Sequence, residues 1–284
     1  MILEALTKAK AFADLSGWRK ISVTGVDAVR WLNGLTTTDL NHLRPGSSQR
    51  ALLLDAAGGL LADVTIAVPG SSLLVVQDPV QATNVVDVLA LAIGSADVEL
   101  EDRSPRIGLF AFPARPAAPD LGGTAFYSPS ALGPGADITC LPEDHPRFVT
   151  SLSKAFTLAT PDDLEAWRID NGWARLGIDA VEGDLPAEAG LGAYVDSAKG
   201  PFPGREQALA AGPGGPLRTV VVGVETGEPV SPGEDLLVAG QPAGKLTSVT
   251  ATDEGVAGLA RVGWEFRAGP FETAQGVAFQ LRGA

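Results

Sequence analysis

One cysteine, one methionine and two histidines are all that 284 residues offer to a soft metal ion. A four-cysteine, two-cysteine–two-histidine or iron–sulfur ligand set cannot be assembled from them within one chain, so no metal centre of that kind is expected. Cys140 has no partner for an internal disulfide. Basic residues are also scarce: 21 Lys and Arg stand against 34 Asp and Glu, a formal net charge of −13. That balance argues against binding nucleic acid or an anionic membrane, since both need a basic face that displaces counterions. Apolar runs are short. The stretch from Val88 to Ile93 is far below the length that spans a bilayer, and Glu4, Lys8 and Lys10 interrupt any leader-like run at the N-terminus. A soluble, cytoplasmic protein is the expectation. With metals, disulfides and basic grooves set aside, carboxylates, arginines, hydroxyls and backbone groups remain as the chemical equipment. What is present suffices to fold: 45% of residues are hydrophobic and 19% charged, outside the disordered range. The length suggests about two domains.

Local patterns divide the chain. Lys20 to Thr24 alternates as a short strand, and Asp27 to Asn33 has helical spacing. Arg50 to Asp55 and Leu60 to Val68 form a hairpin around Ala56-Ala57-Gly58-Gly59. On its return strand Leu60, Ala62, Val64, Ile66 and Val68 share one face, and Leu61, Asp63, Thr65 and Ala67 the other. Leu73 to Gln77 reads as a strand. Asp78-Pro79 then carries an N-cap and N1 signature for a helix closed by Gly94. Further strands are expected at Val98–Leu100, Arg106–Phe112, and near Phe126 and Ile138. Thr160-Pro161-Asp162-Asp163 caps a second helix that runs through Ile169 and ends by Gly172. Gly212-Pro213-Gly214-Gly215-Pro216 is the best linker candidate, which divides the chain into residues 1–212 and 213–284. Beyond it Arg218–Val224, Asp235–Val238, Gly244–Thr250 and Gly258–Val262 read as the short strands of a small β-barrel or sandwich.

Three places could carry chemistry, and each has a plainer alternative. Asp63 lies inside a strand, where Asp is disfavoured. It faces either a pocket, where a carboxylate needs partners, or solvent on an ordinary polar face. Asp170 sits at a helix C-terminus, where negative charge opposes the macrodipole. It meets either a ligand or a nearby arginine such as Arg168 or Arg175. Lys199-Gly200-Pro201-Phe202-Pro203-Gly204-Arg205-Glu206 is a rigid loop whose two cations either hold carboxylates or are simply solvated. No phosphate loop, nucleophile elbow or histidine dyad is present. His42 and His145 are expected in surface or capping roles, and Cys140 outside any site.

Taken in order, these segments resemble one family. Val23-Thr24-Gly25-Val26-Asp27-Ala28, with Trp31-Leu32-Asn33-Gly34-Leu35-Thr36-Thr37-Thr38-Asp39, resembles the opening of the glycine-cleavage T-protein (aminomethyltransferase) and YgfZ superfamily. Gly58-Gly59-Leu60-Leu61-Ala62-Asp63 is similar to its Gly-Gly-Ile-x-Asp-Asp hairpin. Arg168-Ile169-Asp170-Asn171-Gly172 with Gly177-Ile178-Asp179 is similar to Arg-Leu-Glu-Ala-Gly…Gly-x-Asp. Pro186-Ala187-Glu188-Ala189-Gly190-Leu191 is similar to Pro-x-Glu-Ala-Gly-Leu. Phe202-Pro203-Gly204-Arg205-Glu206-Gln207-Ala208-Leu209 resembles Phe-Ile-Gly-Arg-Glu-Ala-Leu, and Gly244-Lys245-Leu246-Thr247-Ser248 resembles the Gly-x-x-Thr-Ser of a C-terminal barrel. The resemblance spans nearly the whole chain.

It implies an α+β cloverleaf around a central tetrahydrofolate channel, with a C-terminal β-barrel. The implied activity is transfer of a one-carbon unit, aminomethyl or methyl, to or from tetrahydrofolate. A small amine or a carrier protein would be the other partner. The alternative is a YgfZ-type factor that uses folate while supporting iron–sulfur proteins or tRNA modification without turnover. By correspondence Asp63 acts at the reactive centre and Asp170 meets the pterin; from the loop itself, Lys199 or Arg205 is expected to meet the carboxylate tail, with Phe202 beside them as a further cofactor-binding candidate. Three departures stand out. Ala62 replaces the first Asp of the hairpin motif, Asp170 is one methylene shorter than the family's Glu, and Pro201 stands where YgfZ proteins carry cysteine.

Overall fold

Alternation along the Leu60–Ala67 strand sets the architecture, because both of its faces find cover. The computed structural model describes residues 2–70, 72–117, 124–126, 129–211, 217–253 and 255–282. The hairpin strands Ser48–Leu54 and Leu60–Ala67 head a five-stranded antiparallel sheet that continues through Leu73–Gln77, Arg19–Thr24 and Glu99–Asp102. One face packs under the helices Ala28–Leu35 and Val85–Ala92, where Leu32, Val85 and Leu89 meet Val23, Val64, Ile66 and Val75. The other face contributes Ala67, Leu74 and Val76 to a second core.

That second core belongs also to the other sheet. Its order is Thr157–Leu158, Ala11–Asp14, Gly108–Phe112, Ala136–Cys140 and Thr124–Phe126, parallel at the first pair and antiparallel thereafter. Leu15, Leu109, Ala111 and Trp167 join the shared core, and Phe12, Phe110, Phe112 and Phe148 fill the sheet's far side. The helix Pro161–Asp170 runs along the junction, capped as its sequence demands. Thr160 accepts from the Asp163 amide while Asp163 accepts from that of Thr160, a reciprocal capping box.

The C-terminal strands close into a barrel ordered Thr219–Thr226, Gly255–Gly263, Gln241–Thr252, Asp235–Val238, Phe271–Glu272 and Ala278–Leu281. The last strand pairs back onto the first. Leu236, Leu246, Val262, Phe271 and Phe279 fill it, and closure leaves no free sheet edge. The helix meets the barrel where Ile169 packs on Ala257 and Leu259. The α+β architecture with a C-terminal barrel is therefore as expected.

Two readings need correction. The helix assigned to start at Asp78-Pro79 spans only Val85–Ala92 and is capped by Asn84, whose side chain accepts from the Val86 amide. Asp78 is instead bound to Arg175, so residues 78–83 are held out of the helix by tertiary contacts. The barrel also has two short strands, at Phe271 and Ala278, that alternation did not reveal. The Gly212–Pro216 linker candidate lies outside the described residues.

Candidate functional site

Where the two sheets and the Pro161–Asp170 helix fail to close on one another, they leave a cavity of about 680 Å³. Apolar side chains, including Leu15, Leu132 and Leu164, form much of its wall, together with Trp18, Trp167 and Trp173. Charged groups cluster at two places on this wall.

The first cluster is Arg50 and Asp63. Arg50 lies opposite Thr65 and Asp63 opposite Leu52 in the hairpin ladder, so the two side chains share a face as diagonal neighbours, within reach of long side chains. Arg50 Nε donates to Asp63 Oδ1 at 2.8 Å, and Nη2 donates to Oδ2. The guanidinium is stacked between two rings, 4.4 Å from the Trp173 centroid and 4.5 Å from that of Tyr194. Such a sandwich holds it by cation–π attraction and fixes its plane. Arg50 is buried, and the Asp63 carboxylate beside it outweighs desolvation, raising the guanidinium pKa. The Gln81 carboxamide clamps the strand behind the carboxylate: it accepts from the Asp63 amide at 2.9 Å and donates to the Asp63 carbonyl at 2.7 Å.

The second cluster lies on the helix and the loop after it. Arg168 satisfies all five of its N–H donors: two on Glu165, one each on the Trp173 carbonyl, Asp179 and Ser248. Asp179 is fully buried. It accepts from Arg168, the Arg175 amide, Thr247 and Ser248. Buried charges are tolerable when saturated in this way. Arg175 bridges outward, with Nε on Asp78 at 2.9 Å and Nη1 on Glu165 at 3.3 Å. The cavity wall thus carries an alternating row, Arg168–Glu165–Arg175–Asp78, tied to the barrel through Thr247 and Ser248.

Among the described residues three buried polar side-chain atoms have no partner: Thr219 Oγ1 in the barrel, and two nearer the cavity. Trp167 Nε1, on a residue lining the cavity, has no partner. Asp137 is fully buried, with Oδ2 accepting from the Ala131 amide at 3.0 Å and Oδ1 unpartnered. Burial pushes its carboxyl up to about 7, against hydrogen bonds from Ala131 and Ser130 that favour the charged form. Asp137 so anchors the 130–132 segment that supplies Ala131 and Leu132 to the wall.

The structure sorts the expected site residues. Asp63 faces the cavity. Asp170 does not line it: its side chain is 43% exposed and bonds to Arg282 at 2.7 Å. Five residues beyond Glu165, it projects from another side of the helix, and Glu165 is the helix carboxylate that the cavity sees. Lys199, Phe202 and Arg205 are elsewhere too. Lys199 Nζ donates to the carbonyls of Asn33, Thr36 and Thr38, which spends its three donors; burial lowers it to about 8. Phe202 packs with Leu52, Leu54 and Leu60 in a separate core. Arg205 holds the carbonyls of Lys199 and Ser197. Lys199 and Phe202 staple this loop to the Ala28–Leu35 helix end and the hairpin, and Arg205 braces the loop from within.

Sequence reasoning missed Arg50, Glu165, Trp173, Asp78 and Asp137. For Arg50 and Glu165 the signal existed: Arg50 is the only cation on the hairpin, and Glu165 lies one turn before the motif arginine. Among the described residues no group of three or more His, Cys, Asp or Glu could hold a metal ion, and no helix is long and apolar enough to cross a membrane. His145 starts the His145–Leu152 helix and pairs with Asp14 at 2.8 Å.

Residues 3–115 match the model of the GCVT N-terminal domain. Over 278 residues the chain is 29% identical to an aminomethyltransferase of Frankia alni, covering 87% of this chain and 76% of that protein. It is 27% identical to an aminomethyltransferase of a Nostoc species, covering 87% and 74%. Among solved structures, the fold matches glycine cleavage system aminomethyltransferase T from Bartonella henselae with a TM-score of 0.80. The identity there is 18%, covering 99% of this chain and 88% of that one.

Proposed function

We propose that the central cavity binds tetrahydrofolate and that the protein transfers a one-carbon unit, aminomethyl or methyl, to or from it, a reading supported by its likeness to the GCVT N-terminal domain and to aminomethyltransferases. The observation that carries this reading is the cavity itself, with Asp63 held at its wall by Arg50. Its volume lies within the roughly 300–1,000 Å³ of small-molecule sites, and its apolar wall with a few fixed polar groups is the usual composition of one. The leftover donor at Trp167 Nε1 suits a ligand with ring acceptors, because an unpaired buried donor costs ~1–3 kcal/mol. Glu165 and Asp78 suit the amino and ring N–H donors of a pterin, and the Trp18 and Trp173 rings suit its faces.

When bound, tetrahydrofolate supplies the nitrogens that carry the one-carbon unit. The chain supplies the surroundings. Leu15, Leu132 and Leu164 exclude water, which strengthens every charge effect inside. Asp63 accepts a proton or stabilises a developing cation at the transfer centre. Arg50 fixes the carboxylate's orientation, so that the reaction itself requires no reorganisation. The one-carbon unit comes from a small amine or a carrier-protein arm, in a cytoplasmic setting.

Calorimetric titration with tetrahydrofolate under argon tests the binding half, with one site per chain expected. Assay of Asp63→Asn tests the transfer half, with the rate expected to fall by roughly 10²–10⁴, the usual scale for general acid–base work. Absence of binding heat overturns the first, and full activity in a folded Asp63→Asn variant the second.

A further inference from the structure

Arg50 has five N–H donors, and three have partners. Nε and Nη2 each give one to Asp63, and Nη1 gives one to the Tyr194 hydroxyl at 3.3 Å. Among the described residues the other two have none. They sit one on each terminal nitrogen, on a buried side chain that lines the cavity. A guanidinium with one free N–H on each terminal nitrogen suits a second carboxylate, bound in the bidentate manner arginine favours. The sandwich between Trp173 and Tyr194 keeps the group from turning away.

Asp63 is the other half of this arrangement. Its two oxygens each accept one bond from Arg50, whereas an ionised carboxylate has about four acceptor positions. Free donors and free acceptors therefore lie side by side on the same wall. Together they match a group that carries a carboxylate and an amine close together. Such a ligand would complete the pair rather than displace it, so the buried ion pair stays intact on binding.

Resting on the folate reading above, we propose that the Arg50–Asp63 end of the cavity is a subsite for a small zwitterionic amino acid, its carboxylate on Arg50 and its amine on Asp63. Arg50 is then the residue that selects a small amino acid over a simple amine at this subsite.

The test is calorimetric titration of glycine and N-methylglycine, set against methylamine and acetate, each of which carries only half of the recognised pair. Each is run with and without saturating tetrahydrofolate. The proposal expects either amino acid to bind at least tenfold more tightly than methylamine or acetate. It expects Arg50→Gln to lose at least tenfold in amino-acid affinity and Arg50→Lys to recover part of that loss. Equal affinity for methylamine and glycine overturns it, as does no binding of either amino acid in both conditions, or unchanged glycine affinity in a folded Arg50→Gln variant. The wild-type ligand series decides the matter even if Arg50→Gln does not fold. Tetrahydrofolate is titrated separately, so a failed folate reading shows as absent folate heat, independently of the amino-acid result.

Discussion

At the scale of single residues, the contrast between Asp63 and Asp170 is the most instructive. Both are acidic residues at disfavoured positions, and one is buried against an arginine while the other is paired in the open with Arg282. Removing one partner of a buried pair leaves the other unpaired, at ~3–5 kcal/mol, whereas exposed pairs contribute ~0–1 kcal/mol. Asp63→Ala should therefore lower the urea midpoint strongly, and Asp170→Ala barely. Tetrahydrofolate affinity should change by less than about threefold in Asp170→Ala, and a larger loss measured by calorimetry would return Asp170 to the site. The sequence marked both carboxylates as unusual but could not separate them, because the discriminating partners lie 13 and 112 residues away.

Asp137 makes a separate prediction. Its folded-state value of about 7 lies above the ordinary 3.8, owing to burial. The native state then holds a proton that the unfolded chain releases, so this group's stabilisation is fully present below the ordinary value of 3.8 and lost as pH rises through about 7. Asp137→Asn keeps an acceptor for the Ala131 amide and should flatten that decline. Denaturation midpoints between about pH 4.5 and 8 check it, and an unchanged slope in the variant would contradict it.

At the scale of elements, the helix Pro161–Asp170 was legible nearly to the residue, because its signals are local: Thr160, Pro161 and Asp163 act within one turn. Thr160→Ala should cost about 1 kcal/mol, as N-cap losses do, read as a shift in thermal midpoint. The Asp78 helix start was misread because an equally local signal is overridden from 97 residues away by Arg175. The Lys199 loop was misread for a similar reason. Its cation looked available, yet its donors are spent on three carbonyls near the Ala28–Leu35 helix. Lys20 and Lys199 are both lowered from 10.5 to about 8 by burial. Since the unfolded chain binds more protons than the native state between these two values, both groups make stability rise with pH across that window, by at most about 1.4 kcal/mol per unit each. Lys199→Met should remove its share of that slope, and the same slope in the variant would contradict the burial argument.

At the scale of the whole molecule, the α+β body and the barrel were legible from strand spacing, turn residues and the ordered motifs. The cavity was not, because it is formed where three distant segments fail to meet. Charge pairing links the parts: Ser248 of the barrel bonds to Arg168, which fixes Glu165, which with Arg175 faces the cavity. The barrel thus helps to hold the wall of a site built by the two sheets and the Pro161–Asp170 helix. One measurement tests this account most directly, a crystal structure of the protein with tetrahydrofolate. The account predicts ligand density in the cavity bounded by Asp63, Glu165 and Trp173, with Lys199 still on its carbonyls. Ligand density instead in the shallow depression lined by Lys199, Phe202 and Arg205, with the central cavity empty, would contradict it.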